Sequence, residues 1–462
     1  MTNRQKDGSS YVRCPGQTWA DILDEDAKRH DVPAFLYEES IRDLGSESLS
    51  TDAYVSPEYF KLECEKMWPH VWQFAAREED IPNPGDFIVY ENVGKSFLIS
   101  RQDDGSVKAF YNVCLHRGRK LRTEPGTTKT FVCPFHGFTW NKNGGFMKTP
   151  CDWDFPHVLS KDMSLPEARV TLWEGYILIN EDENAEDFES WAAPLPEHFK
   201  HWHHADSYTA IWVGKIIKAN WKVCSEAFME AWHSATTHPQ IVPYTGDANT
   251  RYDIYGDHVN RALTPFGVMS PHLQGKGLDE QYVADEYLRT NSPPGAKPVQ
   301  AKDGMTARQA LAEESRKKYA KIAGRDYSHL ADGEFMDALV YNVFPNFAPW
   351  GGHIGNIIYR FRPWPDQDTA LMEVRILLRN KPGETSPPTP EMFLIEEDEP
   401  FSKADHLLGA QFTNVFQQDM DNLPFVQDGM KSTANDRLEL GNYQEIRIRH
   451  FHQTMQKYFD KY

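Results

Sequence analysis

The chain has 462 residues, 40% hydrophobic, 13% aromatic and 25% charged, the composition of an ordinary globular enzyme with room for two to three domains. A formal net charge of −19 argues against a nucleic-acid-binding role, because a phosphate backbone is repelled by so acidic a surface. No segment approaches the roughly 18 apolar residues of a membrane span, and Cys14, Cys64, Cys151 and Cys224 show no disulfide-framework spacing.

Residues 1–50 read as an acidic, partly helical N-terminal arm with Trp19, Ile22 and Leu23 on its apolar face. Its start, Met1 to Cys14, is polar and lacks the apolar core of a signal peptide, so a cytoplasmic location is expected. Residues 51–200 are expected to form an all-β domain. Short β runs at Asp86 to Tyr90, Ser96 to Ile99, Lys108 to Asn112, Thr130 to Val132, Arg169 to Leu172 and Tyr176 to Asn180 are separated by Gly, Pro and Asp turns.

Within that domain Cys114 and His116 are followed, sixteen residues on, by Cys133 and His136. Two thiolates suit one iron of a [2Fe-2S] cluster and two neutral imidazoles suit the other. Replacing two thiolates by imidazoles also raises the reduction potential. Zinc accepts the same donor set, but zinc fingers pair Cys with Cys and His with His, whereas each half here contributes one of each. Gly118, Pro125, Gly126, Pro134 and Gly137 mark both segments as tight loops. The basic run His116-Arg117-Gly118-Arg119-Lys120-Leu121-Arg122 reads either as a solvated loop balancing the cluster's charge or as a docking site for an acidic ferredoxin.

Asn184 to His204 reads as the crossing into a second domain, 201–462, of mixed helix and strand. Strands are expected at Tyr208 to Ile217, Ile354 to Phe361 and Leu371 to Leu378, and helices at 218–236, 305–323 and 403–417. Gly275 to Lys302 is polar and rich in Gly and Pro, so a flexible loop is expected there. On the first helix His238 follows His233 by five residues. Such a step points two side chains about 140° apart on a straight helix, so a shared metal requires the helix to unwind, which Thr236, Thr237 and Pro239 favour. Two imidazoles and a carboxylate form the facial triad of non-heme Fe(II). The best third ligand is Asp419, with Asp421 as the fallback.

These motifs resemble the Rieske oxygenases. Asn112-Val113-Cys114-Leu115-His116-Arg117-Gly118, Cys133-Pro134-Phe135-His136-Gly137 and the segment from Asn220-Trp221-Lys222 through Glu226 and Glu230 to His233 and His238 are similar to the large, or alpha, subunits of that family. The resemblance implies an α+β fold: an all-β Rieske [2Fe-2S] domain plus a helix-grip catalytic domain with a twisted antiparallel sheet. It implies cluster binding by Cys114, His116, Cys133 and His136, mononuclear Fe(II) binding by His233, His238 and Asp419, and catalytic roles for Glu230 and Asn220, with Glu230 bridging to a cluster histidine of a neighbouring subunit.

It further implies the terminal oxygenase of a multicomponent system. Ferredoxin and reductase would supply electrons, O2 and a small aromatic or xenobiotic compound would be the substrates, and the assembly would be a homotrimer with or without a small beta subunit. Two departures stand out: Glu230 replaces the Asp of many ring dihydroxylating members, and Ala227 replaces an Asn. The longer acid points to oxidative N- or O-dealkylation, with cis-dihydroxylation as the alternative. Phe228, Met229 and Trp232 are candidate substrate neighbours. A reading of another class is a Rieske electron carrier or ligand-binding protein without chemistry.

Overall fold

Turn chemistry builds the first unit. In a computed structural model, which describes residues 16–292, 297–302 and 304–462 together with the short strand pair Asn3–Arg4 and Val12–Arg13, contacts divide the chain into two units. One contains residues 62–188 and 462, the other 1–61 and 189–461. The division departs from the expected boundaries at 50 and 200, since the N-terminal arm belongs to the larger unit. Cys14, most of the polar start and residues 293–296 of the expected Gly/Pro-rich loop lie outside the described residues.

The smaller unit is all β apart from short helical turns. A seven-stranded sheet contains β1 (Gln73–Arg77), β2 (Asp86–Asn92), β3 (Lys95–Arg101), β4 (Val107–Tyr111) and β5 (Gly126–Thr127). A second, three-stranded sheet is formed by β6 (Thr130–Val132), β7 (Thr139–Asn141) and β8 (Phe146–Lys148). Strands β9 (Glu167–Trp173) and β10 (Tyr176–Asn180) complete the larger sheet in the order β1-β10-β9-β4-β3-β2-β5. Two-residue turns close the β2–β3 and β9–β10 hairpins, with Val93 and Glu174 in the left-handed region at φ 42° and 48°. Such turns match the strand twist. The apolar residues between the sheets, Phe87, Leu98, Phe110, Phe131, Phe138 and Trp140, pack with Cys114 and Cys133.

In the larger unit, α1 (Trp19–Asp26) is capped by Thr18 and buries Trp19, Ile22 and Leu23 as its pattern predicts. The arm continues to Ser40, whose backbone N–H donates to the Asp253 carboxylate. The frame is a curled sheet. Strands β11 (Ser207–Ile217), β15 (Ala348–Pro349), β16 (Asn356–Pro363), β17 (Ala370–Arg379) and β18 (Phe393–Ile395) run in the order β15-β16-β17-β11-β18, with only the last pair parallel. Strands β12 (Arg251–Tyr255), β13 (Val259–Thr264) and β14 (Ala338–Val343) extend it, because bridges Val340–Trp350 and Val343–Phe347 tie β14 to the β15 edge.

Three expectations are corrected. The continuous helix expected over 218–236 is interrupted: α2 (Trp221–Glu226) ends seven residues before His233, and one short turn, α3 (Ser234–Thr237), lies between His233 and His238. The flexible loop expected at Gly275 to Lys302 contains α4 (Glu280–Asn291), started by the Asp279 cap, which accepts from Tyr282 N–H. The 305–323 expectation corresponds to α5 (Ala307–Ala323). The 403–417 run breaks at Gly409, φ 86°, so that α6 (Ala410–Met420) begins afresh. Helices α7 (Leu423–Ser432) and α8 (Ile446–Lys461) follow. Among the described residues no helix is long and apolar enough to cross a membrane.

Candidate metal centres

The two loops of the smaller unit are the same turn used twice. Gly118 N–H donates to the Cys114 carbonyl and Gly137 N–H to the Cys133 carbonyl, both at 2.9 Å. Cys114 N–H and Cys133 N–H in turn donate to the carbonyls of Arg119 and Phe138. Closing these turns needs φ of +75° at Gly118 and +79° at Gly137, which an L side chain rarely adopts. Arg122 ties the loops together, its guanidinium donating to the carbonyls of Thr130 and Val132. One cation of the basic run therefore braces the loops, while Lys120 pairs with Glu91.

Four donors result. Cys114 and Cys133 are buried, the His116 and His136 rings lie 4.7 Å apart, and His116 stacks on Phe138 at 4.6 Å. Nδ1 of both histidines is buried with no hydrogen-bond partner among the described residues. Burial pushes the Cys114 thiol up and His116 down, so a thiolate here needs a positive charge beside it and the imidazole is held in its neutral, ligating form. Two orphaned imidazole nitrogens and two buried sulfurs on these paired loops fit a cluster that takes two sulfurs and two nitrogens.

In the larger unit three side chains converge. His238 Nε2 lies 3.0 Å from Asp419 Oδ1, and His233 Nε2 lies 3.2 Å from His238 Nε2 and 3.7 Å from Asp419 Oδ1. The helix ends between the two histidines, because α3 stops at Thr237 and His238 leaves the helical region at φ −123° and ψ 57°, so the pair does not keep the straight-helix step of five residues. Asp419 comes from α6, and Asp421, one turn end later, is exposed and accepts from Gln417 instead. The far nitrogen of each imidazole is also held. His233 Nδ1 meets Glu230 Oε1 at 2.5 Å, and His238 Nδ1 meets Gln418 Oε1 at 2.9 Å. These contacts leave both Nε2 lone pairs for a metal. Burial works against a charged His233, yet Glu230 and Asp419 outweigh it and hold its pKa above the usual value.

The donors open onto a cavity of 310 Å³ with largely apolar walls, including Ala227, Phe228, Val340, Ile357, Tyr359 and Phe416. Of the expected substrate neighbours only Phe228 lines it. Met229 is buried elsewhere in the packing and Trp232 is exposed. Asn220 is not brought to the cavity. It caps α2, accepting from Lys222 N–H, and its amide donates to the carbonyls of Tyr54 and Gln367. Gln418, Trp350 and Arg447 are neighbours of this site that sequence reasoning missed. Only adjacency to Asp419 could have drawn attention to Gln418. A separate group of His201, Glu334 and His353 could also approach one ion, but His201 Nε2 is already hydrogen-bonded to Glu334 Oε1 at 2.7 Å, and burial, with Arg379 and Arg325 nearby, disfavours positive charge at His353.

Two family models match the chain. Residues 195–461 match the ring hydroxylating alpha subunit (catalytic domain), and residues 71–158 match the Rieske [2Fe-2S] domain. The chain belongs to the ring-hydroxylating alpha subunits of the Rieske oxygenases, whose cofactors are a [2Fe-2S] cluster and a mononuclear iron. It is 36% identical over 211 residues to the large oxygenase component of a naphthalene 1,2-dioxygenase system from Pseudomonas aeruginosa, covering 43% of this chain and 46% of that protein. It is 32% identical over 196 residues to the oxygenase subunit of carnitine monooxygenase from Acinetobacter pittii, covering 40% and 51%. The matches thus span about half the length of these curated relatives. A quaternary ammonium Rieske monooxygenase solved with L-carnitine shares the fold, with a TM-score of 0.61, 19% identity and coverage of 91% of this chain and 99% of the other.

Proposed function

We propose that the chain is the terminal oxygenase component of a multicomponent system that oxidises an aromatic compound with O2, using electrons from a separate ferredoxin and reductase. One observation carries this reading: two imidazoles and one carboxylate meet at an apolar cavity large enough for a small arene. In it Cys114, His116, Cys133 and His136 hold the cluster, and His233, His238 and Asp419 hold the iron. When bound, the cluster relays single electrons and the iron offers open positions for O2.

The chain's own residues do the rest. Glu230 accepts the Nδ1 proton of His233 and fixes its tautomer, and Gln418 does the same for His238. Phe228, Phe416 and Tyr359 exclude water and hold an aromatic ring by its faces. Glu230 folds back so that one oxygen meets the His233 ring and the other its backbone N–H, at 3.1 Å. With Ala227 leaving space beside it, a substituted ring can bring an alkyl group to the iron. That supports oxidative N- or O-dealkylation: one oxygen atom enters the alkyl carbon, the other leaves as water, and the hemiaminal or hemiacetal releases an aldehyde. The likeness to naphthalene dioxygenase supports cis-dihydroxylation as the second reading.

A homotrimer belongs to the same proposal. Phe135, Trp153 and Leu159, each more than half exposed, surround the cluster loops, and Trp232 and Phe425 are exposed on the catalytic unit near Glu230 and Asp419 in sequence. Apolar surfaces of this kind suit burial between chains. A single turnover tests the chemistry. The protein is reduced without oxygen, given arenes, N-alkyl anilides and aryl ethers, then exposed to air. An aldehyde with a dealkylated product supports the first reading, a diol carrying both oxygen atoms supports the second, and recovery of every compound unchanged overturns the oxygenase proposal.

A further inference from the structure

One buried cation beside the cavity has no counter-charge. Four buried arginines elsewhere in the same unit meet carboxylates: Arg261 meets Asp253 at 2.7 Å, Arg308 meets Asp337 at 2.5 Å, Arg316 meets Asp332 at 2.5 Å and Arg360 meets Glu373 at 2.7 Å, whereas Arg449 is held by the carbonyls of Glu47 and Leu440. Arg447, in the first turn of α8, is 1% exposed and meets none among the described residues. Its Nε donates to Asn260 Oδ1 at 2.5 Å and its Nη1 to the Met229 carbonyl at 3.2 Å. Among the described residues its Nη2 has no partner.

A guanidinium carries five N–H groups, so both protons of Nη2 are unmatched. Burying an unpaired charge is strongly unfavourable, and such groups persist where a ligand completes them. Arg447 lines the cavity that contains His233, His238 and Asp419. Two more walls of that cavity carry buried polar atoms without partners, the indole Nε1 of Trp350 and the hydroxyl of Thr245. An indole N–H only donates, a guanidinium only donates, and a hydroxyl can donate. The guanidinium and the indole therefore call for an acceptor, and the hydroxyl can join them as a donor. Burial pushes the Arg447 pKa down, to about 9, which leaves it charged near neutrality. The Tyr252 phenol beside it is pushed well above its ordinary value and stays neutral.

We propose that the substrate is an aromatic carboxylate whose anionic group supplies the missing partner of Arg447, with Trp350 and Thr245 as further donors in the same cavity. The proposal rests on the oxygenase reading for the identity of the cavity, but it concerns binding and is tested by binding. Glu230 and Asp419 also line the cavity and would repel an anion. The carboxylate is therefore expected on Arg447, with the ring on the apolar walls.

The test is calorimetric titration of the oxidised holoenzyme with benzoate and phenylacetate, and with toluene and ethylbenzene as their neutral counterparts. The acids are expected to bind at least about ten-fold more tightly than the neutral arenes. Arg447→Gln should lower acid affinity by about ten-fold more than it changes toluene affinity, and Arg447→Lys should retain part of the preference. Neutral arenes binding as tightly as the acids to the wild-type protein overturns the proposal without any variant, as does an Arg447→Gln protein of unchanged melting temperature that keeps the preference. Failure of the oxygenase reading looks different. Arg447-dependent acid binding with no oxygenated product in the single turnover would leave this inference standing, whereas a product from a neutral arene combined with no acid preference would leave only the oxygenase.

Discussion

The two metal-binding regions are built on opposite principles. The cluster loops are local: each Cys and His pair lies within four residues, each loop closes on its own Gly, and the two turns have the same hydrogen bonds. The triad is assembled from afar, with His233 and His238 flanking a broken helix and Asp419 arriving from α6 about 180 residues later. A locally built site survives disturbance of distant structure. A site assembled from three elements depends on the frame that positions them.

Removing one donor from each region gives the largest and most different effects. Asp419→Ala is expected to reduce turnover to background and iron from about three to about two per chain, with the visible spectrum of the cluster intact. Cys133→Ser should abolish that spectrum. Metal analysis and absorbance on the same preparations check both, and loss of the cluster in Asp419→Ala would show that the regions are not independent.

The frame can be tested next. Glu373 on β17 lies opposite Arg360 on β16, which it meets at 2.7 Å, with Arg362 at 3.4 Å. Burial favours the neutral acid, but Arg360 and Arg362 outweigh it and hold the carboxyl down at about 2 against an ordinary 4.5. A depressed pKa contributes stability that is present above the unfolded value and lost as pH falls from about 4.5 towards 2. Glu373→Gln leaves two buried cations short of their counter-charge and should destabilise the catalytic unit by roughly 3–5 kcal/mol at pH 7. Urea melts should show that difference shrinking as pH falls through this window, and a difference that grows on acidification would reverse the assignment.

What the sequence disclosed follows the same division. Strand limits at Thr130–Val132 and Tyr176–Asn180 agree with the structure because turn residues bracket them. Cys114, His116, Cys133 and His136 were legible because their spacing is itself the turn. In the catalytic unit the long strands were visible, but helical composition over 218–236 concealed an interruption that tertiary packing imposes between α2 and α3. Polar composition over 275–302 concealed α4, whose start is given by Asp279. Arg447 reads as one more helical basic residue until the structure buries it beside Met229. No periodicity encodes such a neighbour, because the elements meet only in three dimensions.

Effects of about one to two orders of magnitude are expected from the residues that hold the imidazoles. Glu230→Gln keeps the size of the side chain but loses the charge that fixes His233, and should lower turnover by about 10- to 100-fold. The oligomeric state, read by light scattering, should be unchanged. A drop confined to oxygenation rate with full iron content would favour a role in passing electrons, and a parallel drop in iron would favour a purely positioning role.

The smallest change discriminates most finely between the two regions. Gln418 accepts from His238 Nδ1 at 2.9 Å and from the Gln240 amide at 2.7 Å, so its carbonyl oxygen is fixed from two sides. Gln418→Ala leaves the His238 N–H without that acceptor and lets the ring rotate, which should weaken iron binding by about 10-fold, the lower end for a residue supporting a metal ligand. Gln418→Glu restores an acceptor and adds charge, so it should recover the affinity. Iron titration with a competing chelator measures both. Recovery by Glu would identify the hydrogen bond as the cause, whereas equal weakness in both variants would assign Gln418 to the packing of α6.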